Sequence, residues 1–230
     1  MGLLHRLRVS VLSGLLGAVI VLALCVCAAS AQASTLELQL TSGGSTAVAV
    51  GTPCGGGAEL CVLFSGTVGA WVINLTTGDS TGPNSATMDL SSLNATTSAT
   101  ADPLDIQLSG TDFTAGDTLW SLQSSGHLAS GTGTAQYSAY YDNTDSILSE
   151  TTLIGMLGPY SSLYAASQSF TNSLSAPYSL TEDVYLTAGP SGAQWSTDSS
   201  IAPAPEPSAL LLVGLGLGAL LFTKRLLLVA

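Results

Sequence analysis

The run most suggestive of chemistry is Asp142-Asn143-Thr144-Asp145, which places hard side-chain oxygens at its first, second and fourth positions. Ca²⁺ takes about six to eight oxygen ligands in a flexible cage, so Asp142, Asn143 and Asp145 are candidate calcium ligands. The run lacks the Gly and the bidentate acid of an EF-hand loop. A competing interpretation is an Asx turn between two strands. No other cofactor is expected.

Catalytic constellations are weak in this sequence. His127 is the only His outside the N-terminal segment, and a lone His among many hydroxyls is more often a surface or loop residue than part of a triad. Paired carboxylates for glycoside hydrolysis would have to come from Asp102, Asp105, Asp112 or Asp117. That run straddles a predicted strand and its turn, where acids serve turn geometry and solubility. We therefore expect no enzymatic activity.

Cys54 and Cys61 are the two cysteines of the central part of the chain, and the six residues between them include three glycines. In an exported chain, such a closely spaced pair most simply forms a disulfide that closes a flexible loop. A zinc site needs about four ligands, and two Cys with one distant His do not supply them. The sequence predicts a structural disulfide, with intermolecular cross-linking or free thiols as the alternatives.

The distribution of charge divides the chain into three parts. The 230 residues carry four Lys and Arg and fifteen Asp and Glu, for a net charge of −11. No Lys or Arg lies between Arg8 and Lys224, and all fifteen acids do. Binding to nucleic acid is excluded because neutralising phosphates requires a basic face. Docking on anionic lipid through a basic patch is excluded for the same reason.

The N-terminus has the features of a secretory signal peptide. A short basic segment ends at Arg8, an apolar segment follows from Val9 to Ala29, and Ala31-Gln32-Ala33 gives the small-x-small pattern of a cleavage site. We expect signal peptidase to cut after Ala33 and before Ser34. Residues 1–33 are thus assigned to the signal peptide, and the protein is expected to be exported.

The C-terminus has a second ordered pattern. Pro205-Glu206-Pro207-Ser208 precedes a nearly uninterrupted apolar segment, Ala209–Phe222, and then the basic pair Lys224-Arg225. Residues 201–207 are predicted to be a Pro-rich extended spacer that contains the Pro-Glu-Pro motif. Residues 208–230 are predicted to be a hydrophobic helix that anchors the chain in a membrane until processing, with the two bases stopping it at the cytoplasmic side.

This tail resembles the C-terminal sorting signal of PEP-CTERM proteins, which are exported bacterial surface proteins processed by the membrane protease-transpeptidase exosortase. By resemblance, Pro205, Glu206 and Pro207 are the recognition motif, and Lys224 and Arg225 are the membrane stop. The family usually ends at its basic cluster, whereas five further apolar residues follow here. The resemblance implies a location at the cell surface or in an extracellular, biofilm-type matrix, together with exopolysaccharide. A GPI signal is the alternative, although it does not require the basic pair.

Between the two ends, apolar residues recur with a period of two. Runs with this alternation are Leu36/Leu38/Leu40, Trp71/Ile73/Leu75, Leu104/Ile106/Leu108, Tyr137/Ala139/Tyr141 and Val184/Leu186. Turn clusters rich in Gly, Pro and Asn separate them, which is typical of an antiparallel β-sandwich. We predict one all-β, jelly-roll-like domain over residues 34–200, flanked by the signal helix and the C-terminal hydrophobic helix. The segment from Ile147 to Phe170 is ambiguous between a strand pair and a loop with one helical turn.

Two classes of function remain open for this domain. One is a structural surface or matrix protein associated with exopolysaccharide. The other is a carbohydrate- or calcium-binding module, in which exposed rings would stack on sugars. The candidate rings are Tyr137, Tyr140, Tyr141, Trp120 and Trp195. Two or three of them exposed on one sheet face would favour binding, whereas buried rings would favour the structural role.

Overall fold

The structure is a computed structural model, and it describes residues 35–54, 59–80, 86–114, 119–172 and 174–204. These residues form thirteen β-strands and contain no helix. Within them, accordingly, there is no helix of the length and apolarity that crossing a membrane requires. All thirteen strands lie in one compact unit.

The strands alternate with short connections along the chain. In order they are β1 (Leu36–Ser42), β2 (Ser45–Val50), β3 (Thr52–Pro53), β4 (Leu60–Val68), β5 (Trp71–Ser80), β6 (Met88–Thr97), β7 (Leu104–Phe113), β8 (Leu119–Gly131), β9 (Ala135–Asp142), β10 (Thr152–Tyr160), β11 (Tyr164–Thr171), β12 (Tyr178–Leu186) and β13 (Ala193–Pro203).

Two antiparallel sheets share these strands. Sheet A has six strands in the order β10-β9-β12-β7-β1-β2, and sheet B has seven in the order β11-β8-β13-β6-β5-β4-β3. Side chains from the inner faces of both sheets meet in one apolar core. The predicted all-β antiparallel sandwich is therefore confirmed.

The core follows from the alternation seen in the sequence. Along β1 the burial pattern alternates strictly, with Leu36, Leu38 and Leu40 fully buried. Successive side chains of a strand point to opposite faces, so a period of two places one set in the core and the other in solvent. Trp71 and Ile73 repeat the pattern on the opposite sheet, in β5. The strands predicted from alternation are all present.

The ambiguous segment from Ile147 to Phe170 forms strands. Its two strands, β10 and β11, are consecutive in the chain but belong to different sheets. β10 pairs with β9, and β11 pairs with β8. The segment is therefore a connection from sheet A to sheet B. Local alternation could not reveal this, because it does not specify which strand is the partner.

Residues 201–203, which the sequence assigned to the spacer at 201–207, belong to strand β13. β13 continues to Pro203, Ile201 is fully buried, and the Ala204 N–H donates to the Leu119 carbonyl at 2.9 Å. Residues 201–203 thus belong to the sheet, because the apolar side chain of Ile201 fills a core position. The prolines of this segment predicted an extended backbone, and the backbone of a β-strand is extended as well.

Both terminal predictions lie outside the described residues. These are the signal peptide with Ala31, Ala33 and Ser34, the sorting motif Pro205-Glu206-Pro207, and the C-terminal segment 208–230 with Lys224 and Arg225. The flanking helices predicted for the two ends lie there as well.

Candidate functional site

A shallow groove crosses the outer face of sheet B, over strands β11, β8, β13 and β6. Its cavity volume is about 410 Å³. Nine of the eleven residues that line it have polar or acidic side chains; the lining consists of Asp89, Ser91, Gln123, Ser124, Ser125, Ala165, Ala166, Ser167, Asp198, Ser199 and Ser200. The side chains that can form hydrogen bonds there carry hydroxyl, amide and carboxylate groups.

The pairing of the strands brings these side chains together. Gln123 of β8 lies opposite Ser167 of β11 on one side and Ser200 of β13 on the other, and Ser200 lies opposite Asp89 of β6. One row of four polar residues thus runs across four hydrogen-bonded strands. Laterally neighbouring side chains in a sheet share a face, so the row presents its polar atoms to one side of the protein.

A bulge in β6 shapes one wall of the groove. The register between β13 and β6 shifts between Thr197 and Ser199, and Ser92 in the bulge has a positive φ of 57°. A carboxylate oxygen of Asp198 accepts a hydrogen bond from the Ser92 N–H. A bulge leaves a backbone group without a ladder partner. Here the Asp198 side chain satisfies it and is thereby held at the edge of the groove.

Negative charge accumulates at the β6 end of the groove. Asp79 of β5 lies directly opposite Asp89 of β6, and the Ser91 hydroxyl donates to Asp89. Burial, reinforced by the nearby carboxylates of Asp89 and Glu59, raises the pKa of Asp79 to about 6. Like charges in direct opposition are destabilising. This end of the groove therefore repels anions and attracts cations or hydrogen-bond donors.

A network of hydroxyl groups joins the two sheets beneath the groove. Tyr137 of β9 in sheet A bonds Tyr164 and Thr197, which belong to sheet B. The Tyr164 hydroxyl lies 2.7 Å from that of Thr197, and the Thr197 hydroxyl donates to the Ser125 carbonyl at 2.9 Å. Burial raises the pKa of both tyrosines. Through Thr197, the network connects the core residue Tyr137 to the backbone of Ser125, which lines the groove.

A buried acid lies in the same part of the core. Glu182 of β12 is fully buried. Burial raises the pKa of Glu182 to about 8, with Ser199 moderating the rise and Asp89 and Asp79 adding to it. The chain has no Lys or Arg between Arg8 and Lys224 to compensate a charge here. The raised pKa therefore favours the protonated, uncharged form of Glu182 in the folded protein.

The rings expected to stack on sugars are mainly in the core. Trp120, Trp195 and Tyr137 are fully buried, and Tyr141 packs against the core from a partly buried position. Tyr140 is partly exposed, on the outer face of sheet A. No set of these rings forms an exposed platform on one sheet face. These five rings therefore offer no platform on which a sugar could stack.

The run proposed to bind calcium forms a tight turn after β9. The Asp145 N–H donates to the Asp142 carbonyl at 3.1 Å, and the Thr144 N–H donates to an Asp142 carboxylate oxygen at 2.7 Å. Hydrogen bonds lower the pKa of Asp142, and the largest contribution comes from the backbone N–H of Thr144. The geometry is that of the Asx turn.

The other two candidate ligands of this run hold other segments. An Asp145 carboxylate oxygen accepts from the Asp112 N–H at 2.8 Å, and the Asn143 side-chain oxygen accepts from the Ser175 N–H at 2.9 Å. The three side chains therefore serve three different backbone donors. Calcium at Asp142, Asn143 and Asp145 stays a prediction.

Cys54 and Cys61 form a disulfide, as predicted, with their Cα atoms 5.8 Å apart. Together with Glu59 they are the group of three metal-ligand side chains found close together among the described residues. The disulfide occupies both sulfurs, so this group does not offer thiolates to a metal. Its role is to tie β3 to β4 at the edge of sheet B.

The residues considered for catalysis do not converge. His127 is exposed on β8, on the outer face of sheet B. The Asp102 carbonyl accepts from the Trp71 indole at 2.8 Å, and Asp105 lies on the outer face of sheet A. Asp117 lies outside the described residues. Asp112, with a φ of 62°, is at the end of β7.

One motif was missed in the sequence. Residues 78–82 have the spacing G-x-S-x-G of a nucleophile elbow, in which a Ser is exposed on a sharp strand-to-helix turn. Here Gly78, Asp79 and Ser80 are the end of strand β5, and Ser80 is fully buried. The spacing therefore does not present a nucleophile in this fold.

Comparisons with known proteins give matches among solved structures. No family model matches the chain, and no curated protein does. Among solved structures, matches include a PA14 domain of the antifreeze protein MpAFP, at 13% identity and a TM-score of 0.29. That alignment covers 46% of this chain and 46% of the other, so the chain spans less than half the length of that structure.

Two further matches are modules from other proteins. TmCBM61, solved in complex with beta-1,4-galactotriose, is 6% identical, with a TM-score of 0.34, over 58% of this chain and 88% of that one. The N-terminal cellulose-binding domain of beta-1,4-glucanase C from Cellulomonas fimi is 11% identical, with a TM-score of 0.28, over 60% and 90%. At these TM-scores the alignments do not establish a shared fold.

Proposed function

We propose that this protein is an exported, non-catalytic component of the cell surface or extracellular matrix, and that its β-sandwich associates with neutral polysaccharide through the groove on sheet B. The observation that carries the proposal is the row of four polar side chains, from Ser167 to Asp89, on the open face of four paired strands. A rigid sheet holds such groups at fixed spacing, and a polysaccharide offers hydroxyls at fixed spacing.

The chemistry of the groove suits sugar hydroxyls. Serine hydroxyls and the Gln123 amide can both donate and accept hydrogen bonds, while carboxylates accept strongly from hydroxyl donors. A cavity of about 410 Å³ is within the range of small-ligand sites. The carboxylates of Asp89 and Asp198 would repel an anionic polymer, and the groove lining contains no cation. Neutral glycans are therefore the expected class.

The mode of binding differs from stacking on aromatic rings. The groove lining includes no aromatic residue. Affinity must therefore come from hydrogen bonds between protein and sugar, which replace the hydrogen bonds that both make to water. Such bonds contribute only about 0.5–1.5 kcal/mol each, net. We expect weak binding per site that becomes useful when many molecules engage one polymer chain. That behaviour fits a matrix component better than a soluble receptor.

The location proposed for the protein comes from its ends. The Pro205-Glu206-Pro207 motif, the apolar segment after it and Lys224-Arg225 support sorting by an exosortase-type membrane transpeptidase. The last strand ends at Pro203, and only Ala204 separates it from the first residue of the motif. The sorting machinery would therefore act immediately beside the folded domain. Before processing, the C-terminal segment would hold the protein in the inner membrane.

Binding can be tested by affinity electrophoresis of the full chain in gels containing neutral or anionic polysaccharides. Retardation by a neutral polymer, reduced in Gln123→Ala and in Asp89→Ala, is expected. Gln39→Ala, which removes a similar amide from the outer face of sheet A, is the matched control. Equal retardation of all four proteins, or retardation by anionic polymers alone, would overturn the proposal.

Sorting needs a separate experiment. Intact mass spectrometry of the protein from its native cell surface should show an N-terminus at Ser34 and loss of the C-terminal hydrophobic segment. An intact C-terminus in cells that possess the sorting enzyme contradicts this part. Replacing Pro205-Glu206-Pro207 with three alanines should leave the apolar segment attached. A calcium-binding module remains the alternative function, with Asp142, Asn143 and Asp145 as the ligands expected from the sequence.

A further inference from the structure

Two carboxylates face each other on the outer face of sheet A, away from the groove. Asp105 lies on β7 and Asp183 on the neighbouring β12, where Asp183 pairs with Gln107 and Asp105 with Tyr185. The two acids are thus diagonal neighbours on one face of the sheet. Asp183 is only 9% exposed.

One oxygen of each acid lacks a hydrogen-bond donor. The Oδ1 atoms of Asp105 and Asp183 are both buried and unpaired. A buried carboxylate without donors is costly, and native proteins satisfy nearly all such groups. Two such carboxylates on neighbouring side chains therefore indicate that a positively charged species binds between them.

The chain itself supplies no positive charge for this position. No Lys or Arg occurs from Val9 to Thr223. The surrounding groups instead add negative potential: Glu150 accepts from the Gln107 side-chain amide at 2.6 Å, and its carboxylate acts on both Asp183 and Tyr140. A proton or an external cation must therefore balance the pair.

We propose that Asp105 and Asp183 bind a hard divalent cation of the Ca²⁺ type on the outer face of sheet A. Carboxylate oxygens are the ligands that Ca²⁺ prefers, and water completes its coordination at sites near the surface. Glu150, held by Gln107, adds a third carboxylate to the local field. The strands fix Asp105 and Asp183, so little conformational entropy is lost on binding.

This site is distinct from the run after β9. There the Asp142 carboxylate already accepts hydrogen bonds from Thr144, and Asp145 accepts one from Asp112. At the Asp105–Asp183 pair the corresponding oxygens are orphaned. The number of unsatisfied oxygens therefore favours the pair on sheet A over the sequence-predicted ligands.

The test is calorimetric titration of CaCl₂ into the full chain after treatment with EDTA. Wild type should bind Ca²⁺ saturably, and Asp183→Asn and Asp105→Asn should each weaken binding by more than about tenfold, since affinity follows the charge of the ligand set. Glu37→Gln removes one charge from the same face of sheet A and should leave binding unchanged. Binding that survives both Asn variants but is lost in Asp142→Asn would overturn the proposal, as would absence of saturable binding in wild type.

A luminescence measurement covers the case in which the Asn variants fail to fold. Tb³⁺ substitutes for Ca²⁺ and is sensitised by nearby tyrosines. Tyr185 lies opposite Asp105, and Tyr140 lies within electrostatic range of both acids. Excitation of tyrosine should give Tb³⁺ emission that Ca²⁺ displaces and that falls strongly in the double variant Tyr140→Phe/Tyr185→Phe. Emission unchanged in that variant would place the ion elsewhere and reject the site.

Discussion

The Tyr137 hydroxyl of sheet A hydrogen-bonds the Thr197 hydroxyl of sheet B in the centre of the sandwich. The Thr197 hydroxyl in turn donates to the Ser125 carbonyl, on the strand that supplies Gln123 and Ser125 to the groove. The core is thus joined across its two layers by specific polar contacts as well as by apolar packing. The same contacts support the groove floor from below.

Removing the Tyr137 hydroxyl should weaken the sandwich measurably. Tyr137→Phe keeps the ring and deletes the cross-sheet bonds to Thr197 and Tyr164, so we expect a loss of about 1 kcal/mol in the free energy of unfolding. Urea denaturation followed by fluorescence measures it. Tyr185→Phe, at an exposed ring, is the control and should change stability little. Equal stability of both variants and wild type would show that the network contributes nothing.

Glu182 should make the protein less stable as the pH rises. Its pKa is about 8 in the folded protein against 4.5 in the unfolded chain, so the folded state holds the proton more tightly. Stability contributed by this acid is fully present below about pH 4.5 and is lost as the pH rises through about 8. The slope from one such proton is at most about 1.4 kcal/mol per pH unit.

Glu182→Gln tests this dependence, because the amide does not ionise. Urea midpoints measured from about pH 5 to about pH 9 should fall less steeply for the variant than for wild type. Asp79 and Asp183 shift in the same direction, so part of the slope should remain. Glu37→Gln, at a partly exposed acid, should keep the full slope. Parallel curves for wild type and Glu182→Gln would contradict the prediction.

Gly126 should be intolerant of any side chain. A Cβ there would lie 2.6 Å from the Ser196 carbonyl oxygen and 2.6 Å from the Tyr164 hydroxyl, both too close for contact. Gly126→Ala must therefore displace backbone or break the hydroxyl network, and a loss of about 1–3 kcal/mol is expected, as for overpacking. Gly66→Ala is the matched control, because its nearest neighbour is the end of the Phe64 ring at 3.3 Å. A thermal melt that ranks the two variants equally would refute the steric argument.

The disulfide should stabilise the edge of sheet B without defining the fold. The two cysteines are separated by seven positions, and closing so short a loop is worth about 2.5 kcal/mol in the chain-entropy model. The double variant Cys54→Ser/Cys61→Ser should lose about that much and keep its β-type circular dichroism. Wild type under reducing conditions should match the variant. Loss of all β structure in both would mean that the bridge is needed for folding itself.

The sequence was sufficient to predict the class of fold and the pairing of the cysteines. Leu36, Leu38 and Leu40 alternate with polar residues. The β-strand is the regular conformation in which such a period of two places the apolar side chains on one face. Cys54 and Cys61 are close in the chain, so loop closure needs no knowledge of distant segments. The absence of Lys and Arg between Arg8 and Lys224 predicts, whatever the fold, that the protein does not bind nucleic acid.

The tertiary structure alone decided which residues meet. Asp105 and Asp183 are 78 positions apart in the numbering and become neighbours only because β7 pairs with β12. The polar row of the groove likewise joins four strands from distant parts of the chain, and Trp120 and Trp195 turned out to fill the core. Alternation along a strand indicates only that successive side chains point to opposite faces of the sheet. Only the pairing and stacking of sheets determine which face is buried and which neighbours lie beside it.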